Sequence, residues 1–288
     1  MKVTVRENVD LEDDQMINRI LVALVGIPVL MFVYYSGGFP LLVFTNAVIA
    51  VGLYEFFKMS ELAGQKPFTK LGIGAGLVIP NLIYFSNPLK MDIIILLPLV
   101  VMIVCAMGIR VFENKVENAS IDIGVTALGV TYVSVLFSHI ILLTYIPDGG
   151  KWLIAIQVMV WVCDSAAYFV GINIGRKFFK EGFSIISPKK SKEGAIGAIV
   201  FTVLAIYLIN MKFHLIQGSG AGIIVIVLGI LTSLVAQIGD LAESMFKREF
   251  KIKDSGKILG EHGGILDRFD SMIFVVPTVY YILKLFVY

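Results

Sequence analysis

Residues 152–175 read WLIAIQVMVWVCDSAAYFVGINIG, and this stretch decides the fold. It is apolar over the roughly 20 residues that a helix needs to cross a bilayer core. It carries one carboxylate, Asp164, with Tyr168 one helical turn further on the same face. An acid inside such a run marks a functional site by default, because leaving it in hydrocarbon is costly. Comparable runs lie near 18–35, 39–57, 71–87, 91–109, 121–146, 151–174, 194–210, 220–241 and 271–288. The 71–87 run is short enough to be re-entrant, and Pro28, Pro80 and Pro98 predict kinks that neighbouring helices must satisfy. Lipid offers no water to open backbone groups, so the reading is all-α: a polytopic helical membrane protein of about nine transmembrane helices.

Composition agrees. Hydrophobic residues make up 57% of the 288 positions, charged ones 16%, and mean hydropathy is +0.86; soluble domains average about 45–50% and about 25%. A net charge of +2 gives no basic field for nucleic acid. Cys105 and Cys163 both fall inside apolar runs without metal or disulfide spacing, so both are expected as buried thiols. Asp10, Glu12, Asp13 and Asp14 stand where a secretory signal would be basic, so no signal peptide is expected.

The Lys and Arg distribution predicts a cytoplasmic N-terminus. Four of the 24, Lys90, Lys151, Lys212 and Lys284, then fall on or near the far side, and the rest cluster on cytoplasmic segments. The chain is read as an N-terminal transmembrane region of about four helices (1–120) and a C-terminal catalytic region (121–288) with cytoplasmic loops 175–193 and 242–270. The clusters Gly72–Gly74–Gly76 and Gly218–Gly220–Gly222 follow no strand and are not read as phosphate loops, whereas Gly72/Gly76 and Gly171/Gly175 have the small-xxx-small spacing of close helix packing.

Residues 239–270, GDLAESMFKREFKIKDSGKILGEHGGILDRFD, are too polar for a simple connection. If the eighth helix continues past the membrane surface, Asp240, Ser244, Lys247 or Arg248, and Lys251 form one stripe. The turns at Asp254-Ser255-Gly256 and His262-Gly263-Gly264 follow, and Asp267 and Asp270 stand three apart before the last run. Carboxylates mixed with cations suit magnesium and phosphate: Mg2+ takes hard oxygen ligands, while Lys and Arg neutralise phosphate oxygens. Upstream, Ser187-Pro188-Lys189-Lys190-Ser191 crowds cations before a helix start, a phosphate grip. Glu55, Asn46 and His139 are read as packing or helix-end residues.

Ser244-Met245-Phe246-Lys247-Arg248, then Lys253-Asp254-Ser255-Gly256, then Leu259-Gly260-Glu261-His262-Gly263-Gly264-Ile265-Leu266-Asp267-Arg268-Phe269-Asp270 resemble the signature of the phosphatidate cytidylyltransferases. Asp164-Ser165-Ala166-Ala167-Tyr168 and Ser187-Pro188-Lys189-Lys190-Ser191 resemble that family's upstream motifs, with Ser191 where a threonine is common. The resemblance implies transfer of a cytidylyl group from CTP, with dCTP as an alternative, to phosphatidic acid. The products would be CDP-diacylglycerol and pyrophosphate.

The expected catalytic set is Asp240, Ser244, Lys247, Arg248, Asp254, His262, Asp267, Arg268 and Asp270. Ser187, Lys189, Lys190, Lys247, Arg248 and Arg268 would hold phosphates. Asp240 and Asp267 would bind Mg2+ (Mn2+ as a substitute, a second cation left open), with Asp164 and Asp270 as further ligands or orienting groups. The implied setting is a prokaryotic inner membrane with the site facing the cytoplasm, membrane lipids as partners, no nucleic acid, and a homodimer left open. Related CTP-dependent lipid enzymes, such as a polyprenol kinase or an ether-lipid CDP synthase, would present a similar site. A transporter would explain the apolar runs and Asp164 but not residues 239–270.

Overall fold

In a computed structural model of the chain, the structure describes residues 24–86, 91–218, 220–256 and 263–288. They form nine helices in chain order: α1 (Leu24–Ser36), α2 (Gly38–Leu62), α3 (Thr69–Phe85), α4 (Met91–Phe112), α5 (Ala119–Leu143), α6 (Gly149–Ile174), α7 (Lys192–Phe213), α8 (Ala221–Glu249) and α9 (Leu266–Phe286). Seven are long and apolar enough to cross a membrane; α1 and α3 are shorter apolar helices. Among the described residues there is no β-strand, and the chain is an all-α integral membrane protein. Residues 1–23, with Lys2, Arg6 and Arg19, lie outside the described residues, as does His262.

The helices follow the apolar runs and differ from them chiefly at the polar ends. Segment 242–270 is helical at both ends: α8 continues to Glu249 and α9 begins at Leu266, with 250–265 between them. The last turn of α8 carries Lys247 and Arg248, which favour a helix C-terminus. At the start of α7, the Ser191 hydroxyl accepts the Gly194 N–H at 3.1 Å and caps the helix. α5 contains a π-helical turn at Val130–Val135 that turns Tyr132 into the interior. The expectation for Cys105 is corrected: Cys163 is buried, but Cys105 is exposed on the outward face of α4. An apolar run does not distinguish a lipid-facing side from a protein-facing one.

α6, α7, α8 and α9 pack in sequence, and α9 also packs against the second half of α5, which joins them to α2 and α3. Gly72 and Gly76 let α3 approach α2: a Cβ on either would lie within 2.6 Å of the side chain of Phe57 or Leu53. Ser191 Oγ lies 2.8 Å from where a Cβ on Gly175 would stand, so the Gly171/Gly175 pair also serves close packing. One end of the bundle carries the α2–α3, α4–α5, α6–α7 and α8–α9 connections. At the other, the Trp152 indole donates to the Tyr288 hydroxyl at 3.2 Å and Tyr288 donates to Pro147 O at 3.3 Å.

Candidate active site at the α8–α9 junction

The site begins with a glycine. A Cβ on Gly239 would lie 2.7 Å from the Asp270 carbonyl oxygen, so α8 and α9 touch there only because residue 239 has no side chain. The Ser271 hydroxyl donates to Ala236 O at 3.1 Å and fixes the crossing. Asp240 and Asp270 consequently line the same cavity.

Two turns along α8, Lys247 donates to Glu243 Oε2 at 2.5 Å and to Asp267 Oδ1 at 2.7 Å, bridging the two helices. Asp267 Oδ2 accepts the Ser255 N–H at 3.0 Å and the Gly264 N–H at 2.8 Å, and the Ser255 hydroxyl lies 2.8 Å away. Gly263 has φ +79°, and a Cβ there would meet that same oxygen at 2.7 Å. Ser255 on one side of the connection and Gly263–Gly264 on the other thus converge on a single carboxylate.

α2 supports this arrangement from 200 residues away. Glu55, buried at 2% exposure, accepts the backbone N–H groups of Ile265 at 3.1 Å and Leu266 at 2.9 Å, and Ser255 Oγ stands 3.3 Å from it. Those N–H groups are among the unpaired donors at the start of α9, and a carboxylate there also complements the helix dipole. Gly256 and Gly264 clear space for it: a Cβ on either would lie within 2.6 Å of its oxygens. Expected as a packing or helix-end residue, Glu55 lies buried inside α2, and the helix end it fastens is that of α9, which carries Asp267.

Two cavities meet here. The acidic cavity, about 280 Å³, is lined by Asp164, Asp240, Glu243, Lys247, Asp267, Asp270 and Ser271. The amphipathic cavity, about 480 Å³, sets Ser187, Lys189 and Lys190 opposite apolar side chains including Tyr168, Ile172 and Phe183. Asp164 and Asp240 belong to both. Lys190 donates to Asp240 Oδ2 across the shared wall. Burial pushes the Lys190 ammonium below the usual lysine range, against the opposing pull of Asp270 and Asp164.

A polar, cation-bearing loop facing a carboxylate cavity at the end of a membrane bundle suits phosphate chemistry on an amphiphile. The model of the cytidylyltransferase family matches residues 17–286. The chain belongs to the cytidylyltransferase family. It is similar to the phosphatidate cytidylyltransferase of Bacillus subtilis (strain 168), at 31% identity over 282 residues covering 93% of this chain and 97% of that one. The phosphatidate cytidylyltransferase of Staphylococcus aureus (strain COL) is 30% identical over 269 residues, covering 91% and 96%. That of Synechocystis sp. (strain ATCC 27184 / PCC 6803 / Kazusa) is 30% identical over 298 residues, covering 93% and 96%.

In this cytidylyltransferase, Asp164, Asp240, Lys247, Asp267 and Asp270 come together in the acidic cavity, and Ser187, Lys189 and Lys190 in the amphipathic one. Ser244 is half-buried on α8, and Arg248, Asp254 and Arg268 are exposed; these four line neither cavity. The stripe along α8 is realised as Asp240, Glu243 and Lys247, with Glu243 taking the place expected for Ser244. Tyr132 is a second residue that pattern reading passed over: it is buried, packs against Phe56, Phe246 and Phe274, and its hydroxyl has no hydrogen-bond partner. Asn46 and His139 pack as expected, through Leu42 O and Asn81 and through Val135 O and Tyr281 respectively.

Among the described residues, no three His, Cys, Asp or Glu side chains converge as a ready-made metal cage. Lys190 already engages Asp240, and Lys247 engages Asp267. The acidic cavity nonetheless offers hard oxygen donors, and the buried Glu243 Oε1 has no hydrogen-bond partner. That set fits an ion that takes one or two carboxylates and completes its shell with phosphate and water, as Mg2+ does.

Proposed function

We propose that the chain transfers the cytidylyl group of CTP to phosphatidic acid, giving CDP-diacylglycerol and pyrophosphate. The carrying observation is the meeting of an acidic cavity with an amphipathic, lysine-bearing one across Asp164 and Asp240. The names of the relatives support the choice of substrates. The phosphatidate headgroup occupies the amphipathic cavity, with its phosphate at Lys189, Lys190 and Ser187 and its apolar part along Tyr168, Ile172 and Phe183. The nucleotide's phosphates lie at the shared wall.

A phosphate oxygen of phosphatidic acid forms a bond to the α-phosphorus of CTP, and the bond from that phosphorus to the bridging oxygen of pyrophosphate breaks. The nucleophile is anionic near neutral pH, so the chain's task is to place two polyanions together and screen their repulsion. Lys189 and Lys190 neutralise phosphate oxygens on one side of the wall. Lys247 holds Glu243 and Asp267 in register on the other. Glu55 keeps the start of α9 in place. We propose Mg2+ as the cofactor, held by carboxylates among Asp164, Asp240, Asp267 and Asp270, with Mn2+ as a substitute; it supplies electrophilic charge to the phosphates.

The natural setting we infer is a bacterial plasma membrane with the connection-bearing end in the cytoplasm. In a Cys105→Ala background, a cysteine placed at the exposed Lys253 should react only with reagent on the cytoplasmic side. We extend the proposal to dCTP as an alternative nucleotide and to a homodimer; competition against CTP and the mass of the detergent-solubilised protein test these. The deciding experiment is pyrophosphate release by purified protein. Release that requires both CTP and phosphatidic acid, with CDP-diacylglycerol as product, is expected. Release with CTP alone, or none with both, would contradict the proposal.

A further inference from the structure

The connection between α6 and α7 is a folded loop that turns apolar side chains outward. Gly182 and Ser191 pair as an antiparallel bridge, and the Phe183 N–H donates to Lys190 O at 2.8 Å. Arg176 donates to Pro188 O at 2.8 Å, and the N–H groups of Phe178 and Phe179 both donate to Glu193 Oε1 at 2.9 Å. The frame closes a loop over 183–190 that carries Ile185. On this fixed frame Ile185 is 99% exposed and Phe178 is 77% exposed.

Apolar groups held outward by a hydrogen-bonded frame call for a surface to cover them. The charges around them indicate which surface. Arg176, Lys177 and Lys180 are exposed on the same loop, whereas its one acid, Glu181, is paired with Lys192 at 3.2 Å. Upstream, the outward face of α6 ends in exposed Tyr168, Phe169, Ile172 and Ile174, so a lipid-facing helix surface runs directly into the loop. Aliphatic and aromatic tips beside basic side chains, continuous with a membrane-spanning face, match the headgroup–acyl boundary of an anionic bilayer.

We propose that the 176–191 loop rests on the bilayer surface, with Ile185 and Phe178 seated at the headgroup–acyl boundary and Arg176, Lys177 and Lys180 against anionic headgroups. The same loop supplies Phe183, Ser187, Lys189 and Lys190 to the amphipathic cavity. Resting on the proposed function, the contact holds the mouth of that cavity against the leaflet from which a lipid substrate enters.

The test uses the full chain carrying Cys105→Ala, with a nitroxide label on Ile185→Cys, in vesicles of phosphatidylcholine and phosphatidylglycerol. Glu181→Cys is the control position, its side chain being 86% exposed. Oxygen, which concentrates in the bilayer, should relax the label at 185 more strongly than a water-soluble nickel chelate does, with the order reversed at 181. A label at 185 that behaves like the one at 181 would overturn the proposal, whatever the activity.

A second arm uses Ile185→Asp. It should slow turnover of bilayer phosphatidic acid about tenfold, the scale set by burying one aliphatic side chain, and spare a dispersed short-chain phosphatidate. Equal loss on both substrates, or no loss, would count against the proposal. If the unsubstituted protein turned over neither substrate, the cytidylyl reading would fail while the label result still judged the loop.

Discussion

The two cavities at the α8–α9 junction share Asp164 and Asp240 yet are built by different means. The acidic cavity is made by close helix contact: Gly239 brings α8 onto α9, and Lys247 bridges the two carboxylates that would otherwise repel. The amphipathic cavity is made by a loop, with Ser187, Lys189 and Lys190 brought over the apolar end of α6 by hydrogen bonds to Glu193 and Pro188. Rigid helices suit a site where charge must be placed closely, because a shift of an ångström there is costly. A folded loop suits a site that admits a bulky amphiphile. The contrast predicts that changes in the acidic cavity alter the rate of the chemical step, whereas changes in the amphipathic one alter lipid binding.

The largest effect should come from Asp267→Asn, which removes the charge facing Lys247. Turnover should fall by about 1,000-fold, the scale of losing a placed charge at a phosphoryl-type site. The protein should still fold and insert, but with its unfolding midpoint in detergent lowered, because Lys247 and the Ser255 and Gly264 N–H groups lose acceptor oxygen. Near-normal turnover would remove Asp267 from the chemistry, and chelation of divalent cations should produce a loss at least as large. Next in size is Glu55→Gln, which leaves one acceptor oxygen where two backbone N–H groups now converge. It should lower kcat by roughly 10- to 100-fold with KM for CTP nearly unchanged, because it loosens Asp267 without touching substrate. A change confined to KM would contradict the tethering role.

Lys189→Ala should instead raise KM for phosphatidic acid by about tenfold and leave kcat within a small factor, as expected for the loss of one charged phosphate contact. If kcat fell and KM did not, the division between the cavities would fail. The smallest effect is a pH dependence. Lys190 attracts phosphate only when protonated, and burial has lowered its pKa. Raising the pH through that lowered value removes the charge, so KM for phosphatidic acid should climb on the alkaline side. Lys190→Arg, which stays protonated, should move the climb to higher pH; an unmoved profile would exclude Lys190 as its cause.

Much of this was legible in the sequence. The apolar runs located the helices, because in lipid a spanning segment must satisfy its own backbone. The acids Asp164, Asp240, Asp267 and Asp270 were legible because carboxylates in or beside such runs need a reason to be there. Glu243 was not, since a stripe begun at Asp240 continues equally well at i+3 or i+4; the contact of α8 with α9 at Gly239 selects i+3. Glu55 showed only as a lone acid in an apolar run, and nothing local marks a partner 210 positions away. Tyr132 depends on a π-helical turn that its own residues do not announce. Cys105 shows the converse limit: hydropathy finds a membrane helix without saying which face meets lipid.

The division between the cavities is tested most directly by an experimental structure with a non-reacting CTP analogue, a divalent cation and phosphatidic acid. The account places the cation in the acidic cavity, the α-phosphorus beside the Asp164–Asp240 wall, and the lipid phosphate at Lys189 and Lys190. A nucleotide bound elsewhere would contradict it, for example in the separate polar pocket of about 600 Å³ lined by Lys66, Arg110 and Lys115. So would both phosphates in one cavity with the other left unused.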